Sequence, residues 1–166
     1  MAQSFNTSLK NVAVNYSKLL DIKVTAASIR KDIEENSYYP SLLSLSDTFN
    51  RYHINNSAFE VAPENLGQVE APFVAFVQMP TIGKDFVVVK SITDEEVTYL
   101  YKNTNPKTIS KKAFLGQYRN IVWIAEPDEN SGEQWFETNR IQEQIAKFKR
   151  GPGPSAQLRY YFLQFS

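Results

Sequence analysis

Tyr39-Pro40-Ser41-Leu42-Leu43-Ser44-Leu45-Ser46-Asp47-Thr48-Phe49-Asn50 is the stretch on which the reading of this chain turns. It reads as the opening of a helix. Pro40 is placed in the first turn, where the missing N–H costs little. Leu42, Leu45, Phe49 and Tyr52 follow at helical spacing and mark one apolar face. Asn55-Asn56 is expected to end the helix with turn chemistry. Set against this segment is an absence: the chain contains no cysteine.

Outward from that helix, the N-terminal third continues in the same style. Phe5, Leu9, Val12, Ala13, Tyr16, Leu19 and Leu20 form a helical stripe. Ile22 to Val24 link it to Thr25, the N-cap of a second short helix carrying Ile29 and Ile33. Asn36 and Ser37 break that helix. After residue 57 the character changes. Ala58 to Val61 is short and extended, and Pro63-Glu64-Asn65-Leu66 is one helical turn. Pro72 to Met79 and Phe86 to Ile92 are apolar, β-branched and aromatic runs that read as strands joined by Pro80-Thr81-Ile82-Gly83-Lys84. Glu96 to Tyr101 is a third strand, with Thr93-Asp94-Glu95 as the turn before it. Ile109-Ser110 to Leu115 is a short helix capped by Ser110, and Ile121 to Ala125 is a buried strand. Three helices followed by a largely antiparallel sheet give an α+β fold.

Glu133 to Lys149 reads as a long helix with Trp135, Ile141, Ile145 and Phe148 on one face. Asp128, Glu129 and Glu133 supply an acidic start that suits its dipole. Gly151-Pro152-Gly153-Pro154 stops it. Leu158 to Phe165 is apolar and aromatic, and reads either as a truncated end or as a last strand of the sheet.

Composition narrows the function. The chain has 166 residues, 42% of them apolar, enough for one core. Eighteen Lys plus Arg balance eighteen Asp plus Glu, so no bulk field points to nucleic acid. Without cysteine there are no disulfides, no thiolate chemistry and no cysteine zinc sites. The single histidine, His53, makes a histidine metal site improbable and reads as a helix-terminal surface residue. No cofactor motif and no phosphate-binding glycine loop is present. No run has the ~18 apolar residues of a membrane span, and no signal peptide is visible. Lys147-Phe148-Lys149-Arg150 is either a solvated helix end or a juxtamembrane cluster.

Four segments together resemble the bacteriocin-processing peptidases, papain-like domains that cut double-glycine leader peptides. They are the helix at 39–50, the strand Ala71-Pro72-Phe73-Val74-Ala75-Phe76, the strand Lys84-Asp85-Phe86-Val87-Val88-Val89-Lys90, and Phe114 followed by Ile121-Val122-Trp123-Ile124-Ala125-Glu126-Pro127. The resemblance implies a papain-like domain over residues 1–130, with the N-terminal helices packed on the sheet. It makes 131–166 a C-terminal helix and Gly/Pro break, a linker toward a membrane region. The wording of 39–44 and 126–133 is similar to a Bacteroidetes-type subgroup, in which the domain precedes a transporter or a vitamin K epoxide reductase-like protein.

The family's chemistry needs a thiolate, a histidine to deprotonate it and an aspartate to orient that histidine. Carried onto this chain, the thiolate position falls at Ser8. The histidine position, just before Phe86, holds Asp85, whose reference pKa of about 4 makes it a poor base for a hydroxyl. The aspartate position falls near Tyr101 or Asn103, and Gln3 lies close to, but out of line with, the family's oxyanion glutamine. The resemblance thus implies an inactive peptidase-like domain that docks a leader peptide, with Ser8, Asp85 and Tyr101 lining the former cleft. It also places the domain on the cytoplasmic face of the inner membrane, as part of a longer protein. Two alternatives stand beside it: an active hydrolase using Ser8 with Asp85 or a displaced His53 as base, and a purely structural or regulatory domain of a membrane protein.

Overall fold

The computed structural model describes the backbone of residues 2–150 and the side chains of residues 8–149. The side chain of Gln3, the Gly151–Pro154 break and the Leu158–Phe165 segment lie outside what is described. Three helices come first: α1 (Ala2–Leu19), α2 (Ala26–Glu35) and α3 (Leu42–Arg51). Six strands follow: β1 (Asn55–Glu60), β2 (Phe73–Met79), β3 (Gly83–Ile92), β4 (Glu96–Leu100), β5 (Lys107–Ser110) and β6 (Tyr118–Glu126). A 3-10 helix (Pro63–Gln68) precedes β2, helix α4 (Lys111–Gln117) joins β5 to β6, and α5 (Phe136–Arg150) comes last. The strands form one sheet in the order β1-β6-β2-β3-β4-β5, and every neighbouring pair is antiparallel.

Each face of the sheet has its own core. On one side Leu9, Val12, Ala13 and Tyr16 of α1, Ile29 and Ile33 of α2, and Leu45 and Phe49 of α3 pack on Val74, Phe86, Val88, Trp123 and Ala125. On the other side Leu66 and Phe114 cover Phe73, Ala75, Val77, Val87, Val89 and Val122. The period-two alternation of β2 and β3 divides their apolar residues between the two layers. At the centre of the helical layer the ring of Trp123 meets Phe49 edge-on at 4.9 Å and Tyr16 at 5.5 Å. Burial pushes the Tyr16 phenol up to about 12. It stays protonated, accepts from the Ala125 N–H at 3.0 Å and donates to the Pro72 carbonyl at 3.3 Å.

Two helix ends share one device. Asp21 and His53 adopt φ of +54° and +59° just beyond α1 and α3. Ile22 N–H then reaches the Ser17 carbonyl at 2.9 Å, and Ile54 N–H reaches that of Phe49 at 3.1 Å. This is the left-handed termination that satisfies orphaned carbonyls and folds an apolar residue back on the helix. His53 is therefore explained by where α3 stops.

The structure corrects several local expectations. Pro40 stands before α3, not in its first turn. The cap is Ser41, whose hydroxyl accepts from the Ser44 N–H at 3.2 Å while Ser44 Oγ accepts from the Ser41 N–H at 3.2 Å. Asn55 and Asn56 do not turn. They begin β1, opposite Glu126 and Ala125, because pairing with β6 outweighs the weak strand preference of asparagine. Ile109 belongs to β5, opposite Val97, and α4 starts only after it. Ile121, expected to be buried, is 37% exposed beside the edge strand. Trp135 lies outside α5 with φ of +64°, so it is not on the face of Ile141, Ile145 and Phe148.

Candidate functional site

β4 begins its pairing with β3 at Leu100, opposite Val88. The stretch of β3 before Val88 is therefore paired through β2, and its other edge must be completed by other groups. Asp85 lies on this stretch and is fully buried, 0% exposed. Its Oδ1 accepts from the Phe86 N–H at 2.8 Å. The same oxygen accepts from the hydroxyl of Ser8, delivered by α1. Oδ2 accepts from the phenol of Tyr101, the residue after β4. Three donors from three elements thus converge on one buried carboxylate, as a buried charge requires.

The surroundings close the cluster. Ser8 is also 0% exposed. It sits in the second turn of α1, so its N–H lies within the helical ladder and not at the helix N-terminus, where the dipole would favour an anionic nucleophile. Tyr101 is half-buried and its ring carries the Lys102 ammonium at 5.3 Å. Asn15 Nδ2 of α1 donates to the Asn103 carbonyl at 3.1 Å, which holds the loop after β4 against the helix.

The structure therefore brings Ser8, Asp85 and Tyr101 into one hydrogen-bonded unit, although Ser8 and Asp85 are 77 residues apart. Asn103 meets α1 separately, its carbonyl accepting from Asn15 Nδ2. His53 does not join them: its side chain is exposed and lines a separate concavity with Asp32, Arg51 and Ser131. Among the described residues no group of three or more His, Cys, Asp or Glu could hold a metal ion, and no helix is long and apolar enough to cross a membrane.

Sequence reasoning missed a second polar knot. Glu133, read as the acidic start of its own helix, accepts from Asn139 Nδ2 of α5 at 3.1 Å and also serves α2. Its Oε1 accepts from the Thr25 N–H at 2.6 Å and its Oε2 from the Ser28 hydroxyl at 2.6 Å. Nearby, Tyr52 donates to Asp32; burial, then this bond to a carboxylate, raise the phenol's pKa. Nothing in the local pattern around Glu133 announces a partner more than a hundred residues upstream.

A three-helix layer on an antiparallel sheet, with side chains from α1, β3 and the end of β4 meeting in one cluster, defines a papain-like peptidase fold. The chain belongs to the Peptidase C39 family, whose pattern matches residues 7–130. Three solved structures share the fold. The peptidase domain of Streptococcus ComA, a bifunctional ABC transporter of a quorum-sensing pathway, superposes with a TM-score of 0.62 at 12% identity, over 74% of this chain and 93% of that one. A double-glycine motif protease from an AMS/PCAT transporter, solved with its leader peptide, gives 0.60 at 18% identity, over 73% and 86%. The N-terminal C39-like domain of a Vibrio parahaemolyticus toxin-secretion ATP-binding protein gives 0.58 at 14%, over 73% and 97%. No curated protein matches the sequence.

Proposed function

We propose that this is a catalytically inactive C39 domain that has kept the fold for docking a peptide. The observation that carries this reading is the buried Ser8–Asp85–Tyr101 unit. A working nucleophile must reach a substrate carbonyl and hand its proton to a base. Ser8 is buried, and its proton already faces a carboxylate shared with two other donors. Asp85 stands where the family resemblance calls for an imidazole, and Tyr101 where it calls for a carboxylate. The groups that would run the reaction have become groups that hold α1, β3 and β4 together.

The Ser8–Asp85 hydrogen bond is the one observation that favours an active serine hydrolase. Burial of both residues and the position of Ser8 in the second turn of α1, past the helix N-terminus, weigh against it. What supports docking is the fold shared with a protease that was solved holding its leader peptide. In the same reading, residues 1–130 are the docking unit. Residues 131–166 lead toward membrane segments of a transporter or of a vitamin K epoxide reductase-like protein of the Bacteroidetes-type subgroup, with the domain on the cytoplasmic side.

Titration with a double-glycine leader peptide tests the docking. Amide signals of Tyr101, Lys102 and Phe86 are expected to shift in a saturable way in two-dimensional NMR spectra, and those of β1, three strands from β3 at the far edge of the sheet, to stay in place. Spectra unchanged at millimolar peptide would remove the docking function and leave the structural reading.

A further inference from the structure

The C-terminal helix is attached to the domain in a way the core helices are not. Residues 131–133 are stitched down: Ser131 Oγ donates to the His53 carbonyl at 2.9 Å, Gly132 N–H to that of Tyr52 at 2.8 Å, and Glu133 N–H to that of Lys23 at 2.9 Å. Gly132, at φ of +130°, approaches so closely that a Cβ would stand 2.9 Å from the Lys23 carbonyl oxygen. The next two residues are different. Gln134 is exposed, and Trp135 is 71% exposed with a left-handed φ of +64°, a strained conformation for a bulky side chain.

Beyond this point α5 meets the domain through polar groups. Glu143 Oε1 accepts from the Ala27 N–H in the first turn of α2 at 3.2 Å, and Asn139 Nδ2 donates to Glu133 Oε2 at 3.1 Å, across the Gln134–Trp135 link. Around the Glu143 bond, Asn139, Gln142 and Ala146 face Val14, Lys18 and Arg30 across an open concavity of about 660 Å3. No residue of α5 enters either apolar core cluster. Helical geometry places Ile141, Ile145 and Phe148 roughly on the opposite side of α5 from Asn139, Glu143 and Ala146. Ile141, Ile145 and Phe148 are half-buried, but on the side away from α1 and α2, so polar contacts carry that seam.

We infer that residues 136–149 form a strap that swings on Gln134 and Trp135 and is caught by Glu143 on the Ala27 amide. The stitched segment 131–133 stays with the core while the strap opens. A pull or a partner acting on the C-terminal end of α5 then moves the strap first and the core second.

Hydrogen exchange on the full chain tests this. An isolated helix of 15 residues is marginal in water, so a released α5 unravels and its amides exchange. Removing the catch from either side, by Glu143→Ala or by Ala27→Pro, is expected to speed exchange of 139–149 by about three- to tenfold, the loss of one exposed hydrogen bond. Ala27→Pro deletes the donor in a first turn that tolerates proline, without touching α5. Amides of β3, β6 and 131–133 are expected to keep their rates. Unchanged exchange of α5 in both variants would overturn the strap. So would α5 amides that exchange only together with β3 and β6, because the helix would then be part of the core.

Discussion

Asp85→Ala is expected to lower the free energy of unfolding by about 2–4 kcal/mol, the cost of unsatisfied buried donors. The carboxylate is fully buried and receives donors from α1, from its own strand and from the end of β4. Its removal takes one acceptor from the Ser8 hydroxyl and one from the Phe86 N–H, a cost of about 1–3 kcal/mol for each that finds no other. Two reliefs keep the total from being the plain sum. Ser8 can turn its hydroxyl to a carbonyl of the preceding turn of α1, and the half-buried Tyr101 can find water. Asp85→Asn should fall between, because the amide accepts on one side and presents a donor on the other. Urea denaturation of the two variants beside the parent reads the difference. A loss below about 1 kcal/mol for Asp85→Ala would mean that the carboxylate does not hold these elements together.

Trp123→Ala is expected to cost about as much, for a different reason. Trp123 is 1% exposed, meets Phe49 and Tyr16 edge-on, and donates from Nε1 to Ser46 Oγ at 2.9 Å. Truncation removes the transfer energy of the ring, leaves a cavity between sheet and helices, and strands a polar group, for about 3–5 kcal/mol. At about 2–4 °C per kcal/mol in a chain of this size, the melting temperature should fall by roughly 6–20 °C. Near-ultraviolet circular dichroism should weaken with it, since the three rings fix one another. A shift of less than about 3 °C would mean that the helical layer and the sheet are not joined through this cluster.

The architecture was largely legible because helix and strand periods differ so clearly here. The Thr25 and Ser110 caps were readable from residue type, and both accept the first-turn N–H expected of a cap, from Ser28 at 3.3 Å and Ala113 at 3.1 Å. Where the reading failed, tertiary pairing or an unusual backbone angle had overridden local chemistry. Asn55-Asn56 has turn composition, yet β6 supplies a partner for it. Lys107-Thr108-Ile109-Ser110 is too short to announce a strand until Glu96 to Tyr99 lies beside it. Trp135 fits the helical stripe by spacing, and only its positive φ removes it.

The candidate site was legible by resemblance rather than by pattern. No periodicity links Ser8 to Asp85, and neither residue stands out within its own segment. Family spacing pointed to Ser8, Asp85 and Tyr101; what it could not supply was that the three bond one another. Glu133 shows the same limit from the other direction. Its nearness to α5 suggested a local role; it does meet Asn139 of α5, and the fold also carries it to the start of α2.

The central claim is that the cluster at Ser8 is structural and performs no peptide hydrolysis. Incubating the protein and its Ser8→Ala variant with a double-glycine leader peptide, and following the peptide by mass spectrometry, tests it most directly. The expected result is an intact peptide with both proteins over hours at a stoichiometric ratio. Cleavage after the two glycines by the parent, lost in Ser8→Ala while the variant remains folded, would contradict the account and make Ser8 a nucleophile.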